Sequence, residues 1–204
     1  MGAFSGPITA SAYRIQGVPK DWKKVFEEMT RARFQELMPG SGKERTAGWV
    51  LADDPFSTDF SLATVFRGDT LLLALRQDTV SVSAPQVRFH VEKAVRQRLT
   101  AEGRERLTRQ EQEDLAGEVR FDLLRRTVPT IRVAELVWNT DSGRAWFFSR
   151  VSAMVQPFEE LFGETFGVGL VPETPYTAAL AGLGEAQAER LLDWDTALLV
   201  EPGA

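Results

Sequence analysis

The sequence predicts an α+β protein with a mostly antiparallel sheet, packed helices and a protruding helical hairpin. Three observations lead there. Strand-like segments with alternating apolar and polar residues dominate both ends of the chain. Short turns rich in Gly, Asn and Asp separate several of them, which favours antiparallel pairing. Between about residues 84 and 127 the apolar period becomes helical, with two capping boxes and a Gly break between them.

In order, residues 8–15 alternate apolar and small polar side chains and read as a strand. Gly17-Val18-Pro19 turns the chain, and Trp22, Val25, Phe26, Met29 and Ala32 recur at helical spacing, predicting a helix over 20–37. Pro39-Gly40-Ser41-Gly42 ends it, and residues 47–52 form a short strand around Trp49. Strands are expected over 62–66 and 70–76, joined by Arg67-Gly68-Asp69, with another at 79–82 after a break at Gln77-Asp78.

Ser83-Ala84-Pro85-Gln86 then has capping-box form with Pro in the first turn, and Thr108-Arg109-Gln110-Glu111 repeats the device. Gly103 separates the two helices and Pro129 stops the second. Strands at 131–138 and 144–148 flank Asn139-Thr140-Asp141-Ser142-Gly143. A helix over 152–161, a strand over 166–171, helix or coil after Pro172 and Pro175, and a small helix over 183–192 complete the order. The expected organisation is a sheet domain built from residues 1–82 and 130–204, interrupted by a helical arm at 83–129.

Composition narrows the function. The 204 residues are 43 % hydrophobic, with 13 Phe and 5 Trp, so a wholly disordered chain is excluded. There is no Cys and one His, which excludes disulfides, thiolate metal sites, thiol nucleophiles and a multi-His metal site. No apolar run approaches the roughly 20 residues of a membrane-spanning helix. The first residues lack the pattern of a secretory signal, so the expectation is a soluble intracellular protein.

Enzymatic signatures are weak. Ser41-Gly42-Lys43-Glu44 lacks the upstream Gly and the hydroxyl of a phosphate-binding loop, and no Gly-x-Ser-x-Gly elbow exists. His90 sits at the edge of an apolar stripe and reads as a core-margin histidine. The acid pairs Asp53/Asp54, Glu159/Glu160 and Asp193/Asp195 could bind Mg²⁺ as in a nuclease, but each lies in a turn or on an exposed helix face, and that plainer reading is favoured. No catalytic residue, metal or cofactor is assigned.

The net charge is −5, so any polyanion must be met by a local positive surface. Residues 86–132 supply one candidate. They hold eleven cations, ten of them Arg, against eight carboxylates, while the rest of the chain is −8. Arg suits phosphate by its forked geometry, yet acids interleaved with Arg are also what a solvated helical face shows. Helical geometry places Phe89, Lys93 and Arg96 together, opposite Val87, Val91 and Val95. Phe121, Leu124 and Val128 form a second apolar stripe, apart from Leu115, Val119 and Leu123. A helix apolar on two sides must bury both, by self-association or within its own subunit.

The order of motifs resembles the RdgC family, recombination-associated DNA-binding proteins of bacteria. Gly48-Trp49-Val50 resembles the family's early Gly-Trp strand. Leu71–Arg76, then Val80-Ser81-Val82-Ser83-Ala84-Pro85-Gln86-Val87, resembles its strand running into a Pro-capped helix. Leu107-Thr108-Arg109-Gln110-Glu111, with Glu118-Val119 and Leu123-Leu124, resembles its second helix. Trp138, Gly143, Ser149, Phe162-Gly163 and Val171-Pro172 resemble its closing hairpin, helix and strand.

The resemblance covers about residues 8–175. It implies a non-enzymatic, cytoplasmic, nucleoid-associated homodimer that encloses double-stranded DNA without sequence preference and limits RecA by competing for DNA. On that reading the phosphates are met by arm cations, Lys93, Arg96, Arg104, Arg106, Arg120, Arg125 and Arg126, and the resemblance maps the dimer contact onto the stripe Phe121, Leu124 and Val128. Arg125-Arg126-Thr127-Val128 stands where the family has a Pro-Arg-Ala-Phe-like end. Family members also continue beyond the point where this sequence stops, so the chain reads as a short variant without that C-terminal part. The alternative is a protein–protein module on the same scaffold that has no DNA binding.

Overall fold

The computed structural model describes residues 9–38, 40–184 and 189. Among these residues it shows the α+β class expected: a curled antiparallel sheet of seven strands with six helices. The strands are β1 (Ser11–Gln16), β2 (Arg45–Val50), β3 (Phe66–Arg67), β4 (Thr70–Thr79), β5 (Thr130–Asn139), β6 (Arg144–Phe147) and β7 (Gly169–Pro172). The helices are α1 (Trp22–Arg31), α2 (Leu62–Val65), α3 (Ala84–Glu102), α4 (Arg109–Arg126), α5 (Ser152–Phe166) and α6 (Pro175–Leu183). The sheet runs β2-β4-β5-β6-β1-β7, and β3 pairs with β4.

One face of the sheet carries the core. Leu71, Leu73 and Leu75 of β4 lie opposite Trp138, Leu136 and Ala134 of β5, and all six are buried. α5 closes over them with Met154, Phe158, Phe162 and Phe166, and α1 adds Val25 and Met29. The rings of Phe147 and Phe158 stack at 4.0 Å. Trp49 donates its indole N–H to Thr165 Oγ1 at 2.9 Å, which lets a polar ring edge be buried without loss of a hydrogen bond.

Several boundaries differ from the sequence reading, each for a physical reason. α1 ends at Arg31 rather than near residue 37. Its continuation crosses β2 instead: Trp49 N–H donates to the Ala32 carbonyl and Phe34 N–H to the Trp49 carbonyl, both at 2.9 Å. Gly48 permits that crossing, since a Cβ there would lie 2.4 Å from the Phe34 backbone nitrogen. Residues 62–65 are a helical turn rather than a strand, because Ser61 and Thr64 form a capping box. Only Phe66–Arg67 is extended.

β4 passes unbroken through Gln77-Asp78 to Thr79, so the separate strand expected at 79–82 is absent. The polar residues there satisfy one another. Arg76 and Asp78, two residues apart on the face opposite the core, pair through two bonds of 3.0 and 2.9 Å. Phe34 stacks on the guanidinium at 4.2 Å, and Asp78 holds the Arg76 pKa above its ordinary value.

α5 runs on to Phe166, beyond the expected end at 161, despite Pro157 in its interior. Pro157 has no N–H for the Ala153 carbonyl one turn earlier. Arg45 supplies the missing donor at 2.6 Å and also reaches Gln77 Oε1 at 2.5 Å. The strand expected at 166–171 starts later, at Gly169, because Gly167 caps α5 in the left-handed region with φ +62°. Of the helix expected over 183–192 only residues 183, 184 and 189 are described; Leu183 ends α6 and Gly184 follows it as the C-cap.

The helical hairpin is present. Thr79 and Thr130 are directly opposite partners across β4 and β5, so the whole of α3 and α4 is inserted between two paired strand ends. Both expected capping boxes form, at Ser83 with Gln86 and at Thr108 with Glu111, and Gly103 ends α3 in the left-handed region. The two helices pack chiefly on one another. α3 has no fully buried residue and α4 only Leu115.

Candidate nucleic-acid interface

The arm is about 28 Å long at 1.5 Å per helical residue, and its charge is unevenly spread along that length. The root comprises residues 84–95 and 119–132; there six cations meet two carboxylates, Glu92 and Asp122. The distal part, residues 96–118, has five cations against six carboxylates.

Pairing sharpens the contrast. In the distal part Arg98 bonds Glu102, and Arg109 bonds Glu113 one turn on, at 2.9 Å. Arg104 grips Glu111 with two bonds of 2.7 and 2.9 Å and touches Glu102. Arg96 pairs back to Glu92. Glu111 also accepts from the Thr108 backbone, and with Arg104 as the larger cause its carboxyl falls to about 2. Glu102 is likewise lowered, by Arg98 and then Arg104.

Among the described residues, Arg88, Lys93, Arg125, Arg126 and Arg132 of the root have no ion-pair partner. Arg120 does, reaching Glu44 at 2.6 Å. Of the seven cations picked from sequence, therefore, Arg96, Arg104 and Arg120 are occupied, while Lys93, Arg106, Arg125 and Arg126 are unoccupied. Arg106 stands alone in the distal part.

Two of the unoccupied cations converge. Lys93 from α3 and Arg126 from α4 line one cleft between the helices, together with His90, Gln97 and Asp122. His90 is exposed rather than tucked at a core margin, since the arm offers α3 no core to face. Its ring meets that of Phe89 edge-on at 5.6 Å. Arg88 and Arg132 were passed over in the sequence. Their only signal is position, at the root and away from the acidic run of α4, and that position is defined once β4 and β5 are paired.

The stripe expected at a dimer interface is divided. Phe121 and Leu124 line a small apolar pocket against Leu37, Met38 and Val80 of the same chain. Phe121 still keeps 42 % of its surface, and Val128 keeps 84 %. The acid pairs give no cluster: among the described residues no three His, Asp or Glu side chains gather closely enough to hold a metal ion. Asp193 and Asp195 lie outside the described residues. No described helix is long and apolar enough to cross a membrane.

Compared with family models and with curated proteins, the chain matches none.

Proposed function

We propose that this chain is a non-enzymatic, sequence-independent DNA-binding protein of the RdgC type, acting as a homodimer in the cytoplasm on the nucleoid and limiting RecA-dependent recombination. The observation that carries the DNA-binding part is the charge at the arm root. Six cations crowd there, five lack a carboxylate partner among the described residues, and Lys93 and Arg126 share one cleft. A phosphate backbone is the ligand that such a surface fits best, because unpaired cations gain by releasing its condensed counterions. The occupied arginines of the distal part must first release a carboxylate, so they contribute less. Duplex gel shifts test this. K93E/R126E is expected to weaken the shift strongly and R104E/R109E only slightly; equal effects of the two pairs would contradict the assignment.

A second reading, a protein–protein module, is favoured by Val128, an apolar side chain 84 % exposed, together with the half-exposed Phe121. Light scattering of wild type and V128D separates the two sources of burial. Loss of a dimer in V128D places the stripe in the interface, and an unchanged mass means that it packs only within the subunit.

A further inference from the structure

We infer that the arm root also takes hold of unpaired bases: Phe89 stacks a base of single-stranded DNA, backed by His90, while Lys93 and Arg126 hold the neighbouring phosphates. This rests on the DNA-binding reading above and specifies its substrate. Phe89 is 66 % exposed, and its only ring contact among the described residues is the edge-on one with His90. One face of the ring is therefore open. A Phe left this exposed forgoes most of the gain of burial, a reserve that a bound apolar surface can recover.

The surroundings decide what that surface is. Lys93 lies one helical turn from Phe89 and three residues from His90, so all three share one side of α3. Arg88 adjoins Phe89 in sequence. His90 and Lys93 reach the cleft that Arg126 closes from α4. An apolar protein partner covering Phe89 would have to desolvate these cations without partners, which is unfavourable. A nucleobase brings its own phosphate, so one ligand supplies both the flat ring and the negative charge. Phosphate tracks with interspersed aromatic platforms are how single strands are bound without sequence preference. A duplex keeps its bases stacked internally and offers Phe89 nothing.

Fluorescence anisotropy tests this with three ligands of equal length: a thymidine oligonucleotide, an abasic deoxyribose-phosphate strand and a duplex. Wild type is expected to bind the thymidine strand about tenfold or more tighter than the abasic strand, the scale of one stacked base. F89A should remove that advantage, leave duplex binding within about twofold, and be rescued by F89W. Because Phe89 is exposed, F89A keeps the fold, and an unchanged unfolding curve verifies it. Equal binding of thymidine and abasic strands by wild type would overturn the inference, as would an F89A protein with undiminished thymidine affinity. Wild type that binds none of the three would instead overturn the DNA-binding reading itself.

Discussion

Gly48 shows how one missing side chain sets the local architecture. β2 runs beneath the residues that leave α1, and the two backbones exchange hydrogen bonds at Trp49. A Cβ at position 48 would meet the backbone of Arg33 and Phe34 at 2.4–2.7 Å, and backbone cannot rotate aside as a side chain can. G48A is expected to cost about 3 kcal/mol or more in urea unfolding; a variant as stable as wild type would mean that the crossing is not maintained in solution. The same crossing places Phe34 over Arg76, so the buried Arg76–Asp78 pair depends on it. Arg45 plays a comparable part at α5, where it occupies the carbonyl that Pro157 leaves unmet.

At the level of elements, the arm is held less by a core than by its ends and its ion pairs. The Thr108–Glu111 capping box, the Gly103 turn and the Arg104–Glu111 grip fix the distal connection, while the Ser83–Gln86 box caps α3 at the root. Glu111 titrates near 2 in the folded chain against an ordinary 4.5. A depressed carboxylate contributes stability that is present above 4.5 and lost as pH falls towards 2. The gap in thermal midpoint between wild type and E111Q should therefore be open at about pH 6 and close on acidification through that window. A gap that persists at about pH 2 would mean that the carboxylate charge is not what holds the connection.

These elements were legible in the sequence because their signals are local: Ser83, Thr108, Gly103 and Pro129 announce helix ends whatever surrounds them. The errors fell where distant residues decide. Arg76 stands beside Gln77-Asp78, but nothing local says that Phe34 will cover the Arg76–Asp78 pair or that Arg45 will reach Gln77 inside a strand. Nothing near Arg31 says that the next residues will pair with Trp49. The site was legible in part. Arg spacing marked the arm, but which arginines a carboxylate occupies depends on rotamers and on Glu44, which lies far from Arg120 in sequence.

For the whole molecule, a chain of charge −5 meets a polyanion only if its positive charge is gathered and uncompensated. The arm root meets that condition and the distal part does not. The most direct test is a salt titration of duplex affinity. If about four to six phosphates are neutralised, the log–log slope is expected to be roughly −4 to −5 for wild type. K93E/R126E should flatten it by about two, one for each phosphate contact removed. A wild-type affinity that does not change with salt, or a double variant with the wild-type slope, would contradict the claim that the arm root binds DNA.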